Sequence, residues 1–346
     1  MLRLSSRGSR VALRSLSATV LAAALLAPAS AGVLAEDAEG PLTVYSGRSE
    51  SLAGPVLERF TAATGIAVET KYADSAELAA ILLEEGGRSP ADVFFAQDAG
   101  ALGAVAGAGL LGVLSTDTLA RVPDAFRDPE GMWVGVSGRA RTAAYSTAED
   151  IELPDSILGF TDPAWAGRIG WAPANGSFQS FVTALRVVEG EDVARAWLEG
   201  ILANDPVDYP KNTAAVEGVA AGEVDVAFVN HYYLLRLLAE NGESYPVDQK
   251  FFEGGDPGSL VNVAGVGRLA SSHRPEAAAA LIDYLLSADA QAYFSQSTYE
   301  YPLIDGVATD PRLPSLASLE VPDVDLSQLA DLRGTVELLQ EVGAID

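Results

Sequence analysis

The 346-residue sequence predicts an α/β protein of two lobes with a ligand cleft between them. Three observations predict it. Short apolar runs alternate with amphipathic helical stretches, the pattern of parallel sheets covered by helices. The alternation occurs twice, over residues 42–95 and again over 168–238. Two extended stretches rich in small residues, Trp133–Tyr145 and Leu260–Leu269, lie where the chain would cross from one series to the other and return. The first lobe is placed at residues 36–140 plus about 263–315, and the second at about 141–262 plus 316–346. Clefts between lobes are the usual site for a small ligand.

In chain order, Leu42–Tyr45 reads as the first strand and Ser46-Gly47-Arg48-Ser49 as the loop after it. Leu52, Val56, Leu57 and Phe60 mark a helix that Gly65 stops. Ile66–Glu69 is a second strand, Ala76–Leu83 a second helix ended by Gly86-Gly87, and Ala91–Phe95 a third strand. After the first crossover, Arg168–Trp171 is a strand, and Asn175-Gly176-Ser177 a polar turn opening a helix over Phe178–Val188. Val193–Ala203 is a further helix, and Lys211-Asn212-Thr213 caps one running to Ala221. Asp225–Asn230 is a buried strand, after which Leu234, Leu235, Leu237 and Leu238 take helical spacing. Helices over Pro275–Leu286 and Ala288–Tyr293 follow the second crossover, and a last helix spans Leu326–Val342.

Composition narrows the class. With 49% hydrophobic residues the chain can bury a large core. Arg3, Arg7, Arg10 and Arg14 precede an apolar run, Val20–Ala27, and the small residues Ala29, Ser30 and Ala31. That is the layout of a cleavable signal peptide over residues 1–35, with cleavage after Ala31 or Ala35, and it places the protein in the periplasm. No Arg-Arg pair is present, which favours general secretion. The chain has no cysteine, which excludes disulfides, thiolate metal sites and a lipidated cysteine. Loss of the four arginines takes the net charge from −26 to −30, which argues against nucleic acid and anionic lipid as partners.

Tyr232 and Tyr233 stand together where the strand Asp225–Asn230 becomes a helix. In open α/β sheets ligands bind at the carboxyl ends of the strands. On a straight strand two successive tyrosines diverge, but at a turn into a helix both phenols can converge on one point. Such a pair suits a hard, highly charged cation; core packing with the hydroxyls in solvent is the ordinary alternative. Signatures of catalysis are absent. There is no G-x-S-x-G, no G-x-x-x-x-G-K-[ST] and no H-E-x-x-H, and the two histidines, His231 and His273, lie in unrelated contexts. A secreted hydrolase or transferase on an α/β scaffold is the reading this disfavours.

Several segments carry a family resemblance: L-T-V-Y-S-G-R at Leu42–Arg48, E-R-F-T-A-A-T-G-I at Glu58–Ile66, S-P-A-D-V-F-F at Ser89–Phe95 and G-R-A-R-T-A-A-Y at Gly138–Tyr145. K-N-T at Lys211–Thr213, G-E-V-D-V-A-F-V-N-H-Y-Y at Gly222–Tyr233 and Y-P-L at Tyr301–Leu303 continue it. In this order the chain resembles the ferric-iron-binding periplasmic proteins of bacterial ABC importers, the bacterial transferrins. The resemblance implies a two-lobed periplasmic-binding-protein type II fold, Fe(III) or a small ferric chelate as cargo, and delivery by a monomer to a permease and its ATPase. It implies Tyr232 and Tyr233 as iron ligands, with Tyr145 on the crossover as a third.

The first lobe departs from the family pattern. Ser49 stands where many members have histidine, Glu50 where a subgroup has a further tyrosine, and Gln97 where some have glutamate, so Glu50 is the first-lobe ligand candidate. Carbonate or another small anion would complete the shell. Its candidate partners are Arg48 and Arg141, by charge and fork geometry. Asn212 and the turn Asn175, Gly176 and Ser177, at helix starts, are the others. Ser49, Gln97, Asn230 and His231 would support the ligands from behind. The missing first-lobe ligands keep a rival in view, in which the same scaffold binds thiamine, a polyamine or a phosphonate.

Overall fold

The computed structural model describes residues 40–346, and the predicted signal segment lies outside the described residues. From Leu42 the chain alternates as the sequence pattern requires: strand β1 (Leu42–Ser46), helix α1 (Glu50–Thr64), β2 (Val68–Tyr72), α2 (Ser75–Glu85) and β3 (Val93–Ala96). β1 lies between β2 and β3 and is parallel to both. Gly65 ends α1 with φ of 77°, the left-handed cap conformation that glycine adopts without a Cβ clash. Helix α3 (Ala99–Gly107), strand β4 (Leu111–Gly112), the short α4 (Thr116–Leu119) and the long strand β5 (Val134–Ser146) follow.

The second series comprises β6 (Ile169–Trp171), α5 (Gly176–Glu189), α6 (Glu191–Ala203), β7 (Val207–Asp208), α7 (Asn212–Ala221), β8 (Val226–Asn230) and α8 (His231–Asn241). β6 is parallel to β7 and β8. The remainder is β9 (Val247–Lys250), β10 (Val261–Leu269), α9 (Pro275–Leu285), α10 (Ala288–Ser297), β11 (Tyr301–Pro302) and α11 (Leu332–Glu341).

Among the described residues the strands form one continuous sheet in the order β2-β1-β3-β10-β5-β8-β6-β7, with β4, β9 and β11 pairing off this path. β5 links its two halves. Val134–Ala140 pair antiparallel with β10, whereas Arg141–Tyr145 pair antiparallel with β8. The change of partner between Ala140 and Arg141 leaves separate apolar cores on either side. The first half packs Val44, Phe60, Phe94, Trp133 and Leu281 into one cluster, which also draws in Ala184 and Leu235. The second half has an aromatic cluster of Phe160, Trp171, Phe178, Trp197 and Phe228 on one face, and an aliphatic one around Val216, Val229 and Leu234 on the other.

The C-terminal segment differs from expectation twice. The helix predicted over Leu326–Val342 is broken at Asp331, where a 3₁₀ turn (Leu326–Ala330) ends and α11 begins, capped by the Asp331 carboxylate on the Gly334 N–H at 3.0 Å. Residues 316–330, assigned to the second lobe, pack instead on the first core through Leu316, Leu319, Leu326 and Leu329; only α11 joins the second, through Leu338 and Leu339. Glycines in α3 are the physical reason. A Cβ on Gly100 would stand 2.5 Å from the Leu329 carbonyl oxygen, and one on Gly103 2.9 Å from that of Ser327, so the 3₁₀ turn seats where α3 lacks side chains.

Candidate functional site

A cleft of about 1000 Å³ opens where the carboxyl ends of the parallel strands face each other, lined by Arg48, Glu50, Gln97 and Arg139 on one side and Asn175, Ser177, Tyr232 and Tyr233 on the other. Strand β8 ends at Asn230 and α8 starts at His231, so the two tyrosines occupy the first turn of a helix. Their rings lie 4.3 Å apart, inclined by 33°. Tyr232 is buried and Tyr233 half-buried. Burial, reinforced by Tyr233, holds the Tyr232 phenol well above its usual pKa, while Arg139 pulls it down. The hydroxyl is therefore neutral at ordinary pH.

His231 is not a ligand. It is fully buried, its Nδ1 accepts the Ala140 N–H at 3.1 Å, and its Nε2–H donates to the Tyr299 carbonyl at 2.8 Å. Burial lowers its pKa to about 4, so the ring is a neutral staple tying the start of α8 to β5 and to the chain before β11. Asn230 is buried at the end of β8, where its backbone pairs with Arg141, and its side chain makes no cap to α8.

At the opposite helix start, Asn175 caps α5 by accepting the Ser177 N–H at 3.0 Å and its hydroxyl at 2.7 Å. Asn212, completely buried, donates to Asn175 Oδ1 and Ser177 Oγ, both at 3.0 Å, and its own Oδ1 has no partner. Asn175, Gly176, Ser177 and Asn212 are thus brought together at a helix N-terminus, with Asn175, Gly176 and Ser177 on the cleft wall.

Three arginines are buried around the tyrosines. Arg48 gives Nη2 to Glu300 at 2.7 Å, and Glu300 also accepts the Ser137 hydroxyl. Its expected role as an anion clamp is corrected to that extent: one edge of its fork is already taken by a buried carboxylate. Arg141 is corrected further. It does not line the cleft; it gives Nη2 to the Phe228 carbonyl at 2.7 Å and lies 5.4 and 5.1 Å from the ring centres of Phe178 and Phe181. Burial lowers its pKa to about 9. Arg139, two residues back on the same face of β5, is the arginine on the cleft wall, with Nη2 on the Gln97 carbonyl and Nε and Nη1 buried without partners. The sequence reading passed over it, although the G-R-A-R alternation placed both arginines on one face.

Tyr145 requires the largest correction. β5 runs antiparallel to β8 with Arg141 opposite Asn230 and Tyr145 opposite Val226. Tyr145 therefore sits at the far end of β8 from the tyrosine pair, about 13 Å along the strand. Its hydroxyl faces Asp248 at 3.4 Å, its ring packs on the aromatic core, and it does not line the cleft. Of the first-half candidates, Ser49 is exposed with its hydroxyl 3.1 Å from that of Ser51, and Gln97 spends its backbone on Ser75 and Arg139. Glu50 is exposed at the start of α1 on the cleft wall.

Among the described residues no three His, Cys, Asp or Glu side chains cluster to hold a metal, and no helix is long and apolar enough to cross a membrane. The polar groups lining the cleft are phenols, amides, guanidiniums and the carboxylates Glu50, Asp74, Glu77 and Asp98 of the first half. Residues 88–328 match the family model of the bacterial extracellular solute-binding proteins. The chain is 35% identical over 332 residues to the major ferric iron-binding protein of Neisseria meningitidis serogroup B, covering 94% of this chain and 97% of that one. It is 34% identical over 318 residues to an Fe(3+)-binding periplasmic protein of Serratia marcescens, covering 91% and 94%. Iron-bound HitA of Pseudomonas aeruginosa superposes with a TM-score of 0.83 at 34% identity over 88% of this chain and all of that one. FutA of Trichodesmium, in complex with iron and citrate, gives 0.76 at 29% identity, over 88% and 99%.

Proposed function

This chain belongs to the bacterial extracellular solute-binding proteins, in the group of ferric-iron-binding periplasmic proteins, and from that premise we propose that its cleft captures Fe(III) on the phenolates of Tyr232 and Tyr233. One arrangement carries this reading: two phenols at the first turn of α8, facing a wall that holds a buried guanidinium, Arg139, with two unpartnered nitrogens. A guanidinium and a helix N-terminus both favour anionic oxygen. A trivalent ion, the largest local charge, strips the phenol protons as bound metals do for thiols and water. Hard oxygen donors suit it and disfavour softer metals.

Two phenolates leave about four of the six positions of an octahedral shell. Carbonate or another small anion fills part of that space, held at the start of α5 by Asn175, Gly176 and Ser177, with the Nδ2 amide of Asn212 tying Asn175 and Ser177 together behind it. The two halves act as lobes that hinge at the Ala140–Arg141 change of partner and close over the ion, a motion of the kind periplasmic binding proteins use. The protein catalyses no reaction; it works in the periplasm and hands iron to the permease and ATPase of an ABC importer.

Purified protein given ferric citrate with bicarbonate develops a visible phenolate-to-iron charge-transfer band, and Tyr232→Phe combined with Tyr233→Phe abolishes it. A wild-type protein that stays colourless but binds thiamine, a polyamine or a phosphonate in calorimetry overturns the reading.

A further inference from the structure

The first half has a phenol on the cleft wall that the sequence reading did not single out. β2 ends at Tyr72, paired in register with Ser46 at the end of β1, so the residue stands at the carboxyl edge of the parallel strands. Its ring packs on the first core and the residue lines the cleft, opposite Tyr232 and Tyr233. Tyr72 Oη lies 3.7 Å, and Glu50 Cγ 3.6 Å, from the point where a side chain on Gly54 would begin. Gly54 is one turn beyond Glu50 in α1, and its missing side chain leaves the space between phenol and carboxylate open. Burial raises the Tyr72 pKa, a hydrogen bond with the Thr70 side chain works against it, and the Glu50 carboxylate adds to the rise.

We infer that Tyr72 and Glu50 are the donors by which the first half completes the coordination of the ferric ion when the lobes close. This rests on reading the cleft as a ferric site. Ser49 and Gln97 are neutral, and the Asp98 carboxylate is engaged by the Ala101 N–H at 2.9 Å, capping α3. Asp74 and Glu77 are further carboxylates on this wall, and it is the approach of Glu50 and Tyr72 to the same open point at Gly54 that selects Glu50. A phenolate and a carboxylate are hard anionic oxygens. With Tyr232 and Tyr233 they set four negative charges against three positive ones, the small anion adds its own, and the Arg139 guanidinium on the same wall offsets part of the excess. Anchoring differs between the two: the Tyr72 ring is fixed in the core, whereas Glu50 swings from an exposed helix start.

The experiment is a titration of the full mature chain with ferric nitrilotriacetate, reading the visible band and, by competition with citrate, the affinity. Tyr72→Phe retains the packed ring and the fold, which circular dichroism and thermal melting check. It is expected to remove roughly one third of the band intensity, one phenolate of three, and to move the band to longer wavelength, because fewer phenolates leave the ion a stronger electron acceptor. Affinity falls at least about tenfold. Glu50→Gln lowers affinity without lowering the intensity. A wild-type band that Tyr72→Phe leaves unchanged in position, intensity and affinity overturns the assignment of Tyr72 and leaves the ferric reading standing. A wild-type protein with no band overturns both.

Discussion

The two walls of the cleft are built differently. On the second-half wall the polar groups are buried or half-buried and tied to one another: Tyr232 follows the buried His231 staple, and the buried Asn212 bonds Asn175 and Ser177. On the first-half wall Ser49 and Glu50 are exposed at the start of a helix, while Arg48, Ser75 and Arg139 are buried. Preorganised groups lose little freedom when a ligand arrives, whereas exposed ones must be ordered at that moment. The second half is thus constructed to catch the ion, and the first half to close on it.

The sharpest way to break that comparison is to strip each wall in turn. Tyr232→Phe with Tyr233→Phe is expected to weaken ferric binding by at least about 10³-fold, about 4 kcal/mol, whereas Ser49→Ala leaves it unchanged; competition titrations read both. The reverse order of effects would mean that the first half is the primary binder.

The next largest effect concerns the His231 staple in the empty protein. Its folded pKa, about 4, lies below the unfolded value near 6.5, so the unfolded chain takes up the proton first. The staple's contribution is complete above about pH 6.5 and is lost as pH falls through about 4, a total on the order of 3 kcal/mol. Urea midpoints of iron-free protein measured across this range should fall with pH, and His231→Gln should flatten the slope. An unchanged slope would mean that the tyrosine wall is held by other contacts.

Iron affinity itself should rise with pH. Burial keeps Tyr232 protonated before loading, so the ion expels its proton, and each pH unit gained strengthens binding by about tenfold for every proton released. Dye-monitored proton release counts them directly. Arg139→Gln removes the partly unpartnered cation and is expected to lower affinity about 10- to 100-fold. The smallest effect is reserved for Tyr145→Phe: no change in the iron band, and at most about 1 kcal/mol of stability from the bond to Asp248. Loss of a third of the band in that variant would restore Tyr145 to the site.

Legibility followed local pattern. The apolar strands and leucine-spaced helices were readable because their periods are set by which face meets the core. α3 was not, because A-G-A-L-G-A-V-A-G has no polar face to mark a helical period. β9, V-D-Q-K, was missed because it is a pairing edge rather than an apolar run. The break at Asp331 hides in a continuous helical pattern and arises from where the 3₁₀ turn meets Gly100 and Gly103 of α3.

At the site, the sequence by itself determined the alternating α/β series, the crossover strands and the tyrosine pair at a strand-to-helix junction, because each depends on neighbours a few residues away. Only the tertiary structure decided which phenols share the cleft. Tyr145 was excluded by the register of β5 on β8, and Tyr72 was brought in by the parallel pairing of β2 with β1. The burial of Arg48, Arg139 and Arg141 belongs to the same class. Charged side chains are ordinarily at the surface, and it takes the packing of two half-sheets around one long strand to put three guanidiniums beside a pair of phenols.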